Sequence, residues 1–459
     1  MSRVILGIDI GSTKICSVIA EVNSQGPHII GTGISRSQGI RRGAVVNIEQ
    51  ASKAIKNSIE DAKRMAGVEI SKAIISLSGA YTKSYINSGV INVGNSQIDL
   101  KTIDRAIDNA LYVAAIPSDY EVIHLLPFRF KLDDQDYIED PLGMTGTRLE
   151  VFVHIVTAQK ASLENLRRSV KLAGVDIETI VLSAYAASIA VLDEDEKKLG
   201  VACIDMGAST CELMVYNGNS MRYNDFLGVG SSYITNDIAT ILGTSLVAAD
   251  EIKIKYGNLF PSESEKQGAL EVPSIADERE KKEVRLDIVQ DIISTRVAET
   301  ITILSKSLEK SGLKDSLCGV VLTGGMVNLP GMREFASALF RNLSVRVAKP
   351  VEIGGLFDNL KEPGSTVAVG LILYGAGKFT NYEKDYQRNI KSKHTDLNML
   401  ESEPVPSLPT GAPFGEFEVD LSNLNQKVGG EEKIEIDIRE ETQETRRDGW
   451  FKRWITNLF

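Results

Sequence analysis

Two stretches of the chain run an apolar strand onto an aspartate and then into a glycine-led turn of small and hydroxyl residues. They are LGIDIGSTKICSVIAEV near the start and ACIDMGASTCELMVYNG near the middle. Each reads as a hairpin, and a turn of this composition can point consecutive backbone N–H groups into one concavity, the geometry of an anion nest. Gly11 and Gly207 leave no side chain between backbone and phosphate. Ser12, Thr13 and Ser209 add hydroxyl donors. Asp9 and Asp205 stand at equivalent places, and two carboxylates across a phosphate chain suit Mg2+, which keeps several waters and takes few protein ligands. One such hairpin is common; two in one chain point to a duplicated fold with facing lobes. In a third element, GVVLTGGMVNLPGMREFASALF, an apolar strand enters Gly324-Gly325 ahead of a helix. Paired glycines there let the backbone approach a base or phosphate beside a helix N-terminus. The three elements together point to nucleotide binding.

These motifs need a large frame. Apolar strand-like runs alternate with helical patterns from residue 1 to about residue 380, the signature of α/β architecture. Between 83 and 165 the pattern becomes short strands around one helix, DLKTIDRAIDNALYVAA, which reads as a small α+β insertion. The stretch 231–305 reads as mostly helical. From 381 to 445 the chain is polar and broken by Pro404, Pro406, Pro409 and Pro413, so a flexible linker is expected there. Within it, Ile434, Ile436 and Ile438 alternate with charges, which suits either disorder or a strand added to a partner's sheet edge.

The 459 residues are 43% hydrophobic and 25% charged, ordinary for a globular chain of several subdomains. The formal net charge of −11 argues against a general nucleic-acid binder. No apolar run reaches the ~18 residues of a spanning helix, and the first residues read as a strand rather than a signal peptide. A cytoplasmic chain is therefore expected. Cys16, Cys203, Cys211 and Cys318 sit singly in apolar stretches and read as buried reduced thiols. The scattered histidines make no metal cluster.

The last residues, GWFKRWITNLF, carry a different signal. On a helix, Trp450, Phe451, Trp454, Ile455, Leu458 and Phe459 fall on one half; Lys452, Arg453, Thr456 and Asn457 fall on the other. Asp448 can cap the first turn, and Arg446 and Arg447 add charge upstream. Ten residues at 1.5 Å each give ~15 Å, half the hydrocarbon core. Such a helix cannot span a bilayer but can lie in its interface, its basic residues facing anionic headgroups. The alternative is a helix docked on the body, against which the intervening linker argues.

The two hairpins and LTGGMVNLPGM resemble the phosphate-1, phosphate-2 and adenosine motifs of the actin, heat-shock chaperone and sugar-kinase superfamily. The order of regions, the segment QGIRRGAVVNIEQASKAIKNSIEDAKRMAG and the tail are similar to the bacterial cell-division family FtsA. The resemblance implies an α/β, actin-like, two-lobed fold with duplicated ribonuclease-H-like domains and an inserted α+β subdomain 1C. Its divisions would be subdomain 1A at 1–82, 166–199 and 341–380, subdomain 1C at 83–165, subdomain 2A at 200–230 and 306–340, and subdomain 2B at 231–305. A linker (381–445) and an amphipathic membrane-targeting helix (446–459) would follow. It implies ATP with Mg2+ as cofactors. Gly11, Ser12, Thr13 and Lys14 match the first phosphate loop, Asp205, Gly207, Ala208 and Ser209 the second, and Gly324, Gly325 and Met326 the adenosine loop. Asp250 and Lys253, in AADEIKIKYG, match a helix that holds ribose and purine in relatives, or else form a solvated helix face. Asp9 and Asp205 would reach the metal through water.

The implied role is a division scaffold that tethers FtsZ to the inner face of the cytoplasmic membrane at the septum. The implied partners are the FtsZ C-terminal peptide, which binds subdomain 2B in the family, further copies of the chain in filaments, anionic phospholipid, and downstream division proteins through subdomain 1C. Arg296 matches a family position for the peptide, or is a plain surface arginine. Ser183 stands, next to Ala184, where hydrolysing relatives carry a Glu or Gln that positions the attacking water, so weak or no ATPase activity is expected. A related pilus-assembly scaffold and a small-molecule kinase of the same superfamily are the competing functions.

Overall fold

The computed structural model describes residues 3–393 apart from 219 and 278. The chain begins with β1 (Arg3–Ile10), β2 (Lys14–Asn23) and β3 (Gly26–Arg36), a small hairpin β4 (Ile40–Arg41) and β5 (Ala44–Val45), then α1 (Ile48–Ala66) and β6 (Lys72–Leu77). An insertion follows: β7 (Thr82–Gln97), α2 (Leu100–Val113), β8 (Tyr120–Leu132), β9 (Gln135–Ile138) and β10 (Thr145–Gln159). α3 (Lys160–Leu172), β11 (Asp176–Leu182), α4 (Ser183–Val191) and α5 (Glu194–Leu199) complete the first lobe. The second opens with β12 (Val201–Met206), β13 (Cys211–Asn217) and β14 (Ser220–Leu227), and continues through α6 (Ser231–Leu242), α7 (Leu246–Tyr256), α8 (Glu263–Lys266), β15 (Ala269–Pro273), β16 (Lys281–Arg285) and α9 (Leu286–Lys310). β17 (Gly319–Thr323), α10 (Met332–Phe340), β18 (Ser344–Val347) and α11 (Thr366–Gly375) follow.

The duplication is visible in the sheets. The first lobe orders its strands β3-β2-β1-β6-β11 and the second β14-β13-β12-β17-β18. In each, the central strand pairs antiparallel with its hairpin partner and parallel with a strand that returns through a helical crossover. The inserted sheet is β7-β10-β8-β9, with Ile103, Ala106, Ile107 and Ala110 of α2 packed into its core. Its strands are long rather than short: β7 has 16 residues and β10 has 15.

α4 and α11 are apolar on nearly every face and buried almost throughout, as helices without a polar side must be. They cross so closely that a Cβ on Gly370 would stand 1.8 Å from the Ala186 carbonyl oxygen. Gly370→Ala is expected to destabilise the body by about 1–3 kcal/mol or more through overpacking, read as a lower urea midpoint.

Several expectations need correction. Ser344–Val347 pair parallel with β17, so the residues from 341 to 347 fall with the second lobe's sheet and not with subdomain 1A; a four-residue strand declares its lobe only through its partner. The insertion's sheet ends at Gln159, and α3 packs back on the first lobe through Leu163, Leu166 and Val170. The polar loop inside 231–305 holds the hairpin β15/β16. Cys318 is exposed, because it precedes β17 at the strand's outer end, where its Sγ donates to the Gly200 carbonyl.

The expected linker also starts too early. Residues 381–393 pack on the body, with Tyr382 and Glu383 wholly buried. Their polar groups find partners there, which composition alone does not reveal. The rest of the expected linker, including Ile434, Ile436 and Ile438, and the helix 446–459 lie outside the described residues. Among the described residues no helix is long and apolar enough to cross a membrane.

Candidate functional site

The two glycine turns close in the same way. Gly11 N–H donates to the Lys14 carbonyl at 3.1 Å, and Gly207 N–H to the Thr210 carbonyl at 2.8 Å. A Cβ on Gly11 would lie 2.8 Å from the Lys14 oxygen, and one on Gly207 3.1 Å from the Thr210 oxygen. Each aspartate sits late in its strand, opposite a residue seven positions on: Asp9 faces Cys16, and Asp205 faces Glu212. Ser12 Oγ accepts from Gly43 N–H at 3.2 Å. The second turn abuts the start of α6, where Ser231 and Ser232 N–H groups donate to the carbonyls of Gly207 and Ala208 at 3.1 and 2.7 Å.

The third loop lies directly against the second aspartate. Gly324 has φ 90°, a conformation that favours glycine, and a Cβ there would stand 2.3 Å from Asp205 Oδ1. Gly325 differs: a Cβ would meet nothing within 4 Å, so its open side faces free space. Met326 is buried, 2% exposed. The turn Pro363–Ser365, which leads into α11, completes the convergence. Lys14 Nζ donates to Ser365 Oγ at 3.3 Å, and a Cβ on Gly364 would lie 3.5 Å from Gly325 Cα and 3.7 Å from Lys14 Nζ. Sequence reasoning passed over this turn, although Pro-Gly-Ser before an apolar run is a helix-start signal.

A third carboxylate joins the two expected ones. Glu212, 4% exposed, accepts from Ser78 Oγ at 2.7 Å and Gly79 N–H at 3.1 Å, so a second-lobe side chain is held by a first-lobe loop. Burial pushes Asp9 up to about 6, against the nearby Lys14 charge and a hydrogen bond from Ser76. Burial, then the charges of Glu212 and Asp9, pushes Asp205 up to about 8. Burial raises Glu212 to about 6, against hydrogen bonds from Ser78, Gly79 and Ala184. A cation among these groups would relieve their repulsion. The open side of Gly325, the close-set buried carboxylates and the glycine turns therefore fit a magnesium nucleotide.

A pH dependence follows. Above about pH 4 the unfolded chain has released these protons while the fold retains them, so the metal-free body should lose stability as pH rises through about 6 for Asp9 and Glu212 and about 8 for Asp205. Burial holds His124 down at about 3 and His154 at about 4. Those two act oppositely: stability falls as pH drops below ~6.5, where the unfolded imidazoles charge. The two sets oppose each other between about pH 4 and 6.5; above that only Asp205 is still releasing its proton in the fold, so urea midpoints should fall between about pH 6.5 and 8 and Asp205→Asn should flatten that fall.

Other expected residues are placed with different partners. Asp250 and Lys253 of α7 bond to each other at 2.6 Å and both to Thr235 Oγ1, at 3.0 and 2.8 Å. Arg296 of α9 holds Asp237 through bonds of 2.6 and 3.0 Å and also pairs with Glu299. Ser183 is the first residue of α4 and is 8% exposed.

Two lobes of one sheet topology, each opening on a hairpin whose aspartate precedes a glycine turn, define an actin-like protein. Residues 202–370 match the family model for the cell division protein FtsA, and residues 79–157 that for the SHS2 domain inserted in FtsA. The chain is 42% identical to the cell division protein FtsA of Helicobacter pylori strain J99, over 92% of this chain and 93% of that one. It is 33% identical to that of Pseudomonas aeruginosa, over 82% and 90%. Among solved structures it resembles the PilM–PilN type IV pilus biogenesis complex, with TM-score 0.59 and 18% identity over 81% of this chain and 98% of that one. It also resembles MreB5 of Spiroplasma citri bound to ADP, with TM-score 0.52 and 11% identity over 87% and 99%. These structural likenesses show the fold alone. The chain belongs to the FtsA family of bacterial cell-division proteins, and its role is that of an actin-like division scaffold with the family's capacity to bind ATP.

Proposed function

We propose that the chain binds Mg-ATP between its lobes and uses the bound state to assemble a membrane-tethered division scaffold. The observation that carries this reading is the approach of Gly364 to both Lys14 and Gly325, and of Gly324 to Asp205, beside the open side of Gly325. The turns at Gly11, Ser12 and Thr13 and at Gly207, Ala208 and Ser209 cradle the phosphates with backbone N–H groups. Lys14 adds a point charge. Asp9 and Asp205 would hold Mg2+ through its water, as suits an ion that keeps several waters and takes few protein ligands. Gly324, Gly325 and Met326 form the backbone wall beside the base. Asp250 and Lys253, engaged with Thr235, would brace the helix that holds the ribose. When bound, the ion neutralises phosphate charge.

Hydrolysis is expected to be slow. Ser183 cannot polarise water as a carboxylate does, and phosphate release should fall far below the ~10 s⁻¹ typical of enzymes. Steady-state release near that rate would refute the reading of Ser183. The scaffold's partners are the FtsZ C-terminal peptide on subdomain 2B (231–305), further copies of the chain in filaments, downstream division proteins on subdomain 1C, and an anionic membrane reached by Trp450, Phe451, Trp454, Ile455, Leu458 and Phe459 with Lys452 and Arg453. An acidic peptide engaging Arg296 would have to replace Asp237 or Glu299. The test is thermal: Mg-ATP should raise the melting temperature of the full chain, because it binds only the folded cleft.

A further inference from the structure

Residues 380–393 join the insertion to the first lobe. On the insertion side, Lys384 and Leu125 of β8 exchange both backbone hydrogen bonds at 3.0 Å. Tyr382, wholly buried, meets Phe130 edge-on at 5.9 Å and donates to Asp140 at 2.6 Å. Lys384 Nζ, its side chain 3% exposed, sits 2.7 Å from both Asp104 and Asp108 of α2. On the lobe side, wholly buried Glu383 accepts from Tyr374 of α11 at 2.5 Å and Tyr185 of α4 at 2.6 Å. Tyr185 Oη also accepts from Thr380 N–H at 2.8 Å, and Tyr386 donates to the Ile177 carbonyl of β11 at 3.3 Å.

We propose that residues 380–393 are a releasable clasp that sets the orientation of the inserted subdomain on the first lobe. Apart from the clasp, the insertion meets the lobe at the roots of β8 and β10, where Ile123, Leu126, Val156 and Ala158 enter the lobe's cores and His124 accepts from Leu182 N–H at 3.2 Å, and the chain crosses only where β6 leads to β7 and where β10 leads to α3. The first of these junctions contains Gly79 and Tyr81, the latter at φ 64°. The clasp differs from a core in its chemistry. Glu383, Lys384 and Asp385 are all buried, and their bonds exchange for water at a small net difference per bond. Loss of one partner, by contrast, leaves a charge buried and unpaired. Asp104 and Asp108 keep side-chain exposures of 37% and 54%, so the clasp can be weakened from the surface without opening a cavity.

The test uses the full chain with Asp104→Asn and Asp108→Asn together. Hydrogen exchange at the Leu125, Lys384 and Lys391 amides should rise on the order of a hundredfold, with β1 and β12 unchanged. Asp104→Glu, which keeps the charge, should exchange like the parent. Spin labels on Lys56→Cys and Tyr112→Cys, in a Cys318→Ser background, should show a broadened distance distribution in the double Asn variant. Pulling between residue 459 and a handle at Lys56→Cys should release roughly 50 Å of contour in an early reversible step, at lower force in the variant. Unchanged exchange at the clasp overturns the proposal, as does a rise spread evenly over both lobes. An unbroadened distance distribution despite faster clasp exchange overturns it too, and so does unfolding of the body with no early step.

Discussion

Gly325→Val is expected to leave the body folded and remove its stabilisation by Mg-ATP. A Cβ at this position meets nothing within 4 Å, and Gly325 is not among the glycines with positive φ. A branched side chain therefore fits the fold and projects into the space assigned to nucleotide. The parent should gain about 2.7 kcal/mol at a hundredfold excess over Kd, a rise on the order of several degrees for a body of this size. The variant should gain none. Gly324→Ala is the contrasting control: φ 90° and an approach of 2.3 Å to Asp205 mean that it should unfold at lower temperature with or without nucleotide. A folded Gly325→Val protein with the full parental shift would make the nucleotide assignment wrong.

Trp454→Glu should abolish binding to anionic vesicles and leave the ATP-induced shift intact. On the proposed tail helix six large apolar side chains would share one half, each contributing up to about 1.5–3 kcal/mol at full burial. Interfacial burial is partial, and so short a helix must fold on binding. The margin is therefore small, with ~1 kcal/mol added per basic residue at an anionic leaflet. A carboxylate in the apolar face must be desolvated or lift the helix out. Lys452→Glu with Arg453→Glu should weaken binding in a salt-dependent way. Trp450 and Trp454 are the only tryptophans in the chain, so their fluorescence should shift to the blue on adding vesicles to the parent. No such shift, together with vesicle binding by Trp454→Glu, would sink the anchor.

The hairpins were legible because aspartate, glycine and hydroxyl residues recur at one spacing, and that spacing is a local property. Glu212 was not. It sits in the apolar run CELMVYN, and its meaning comes from Ser78 and Gly79, residues on the other lobe. Ser344–Val347 could be placed only by its parallel partner β17. The segment 381–393 looked like linker because its composition is polar. What orders it is a set of distant partners, Asp104 and Asp108 for Lys384 and Tyr185 for Glu383. Burial of paired charge leaves no periodic trace in a sequence, whereas burial of apolar side chains does.

The scaffold account is tested most directly by co-sedimentation with anionic liposomes, comparing the full chain with one lacking 446–459, each with and without Mg-ATP. The full chain should pellet with liposomes, and more strongly with Mg-ATP, because assembly multiplies weak anchors. The shortened chain should stay in the supernatant in both conditions while still melting higher with Mg-ATP. Sedimentation of the shortened chain with liposomes, or binding of the full chain that Mg-ATP leaves unchanged, would contradict the account.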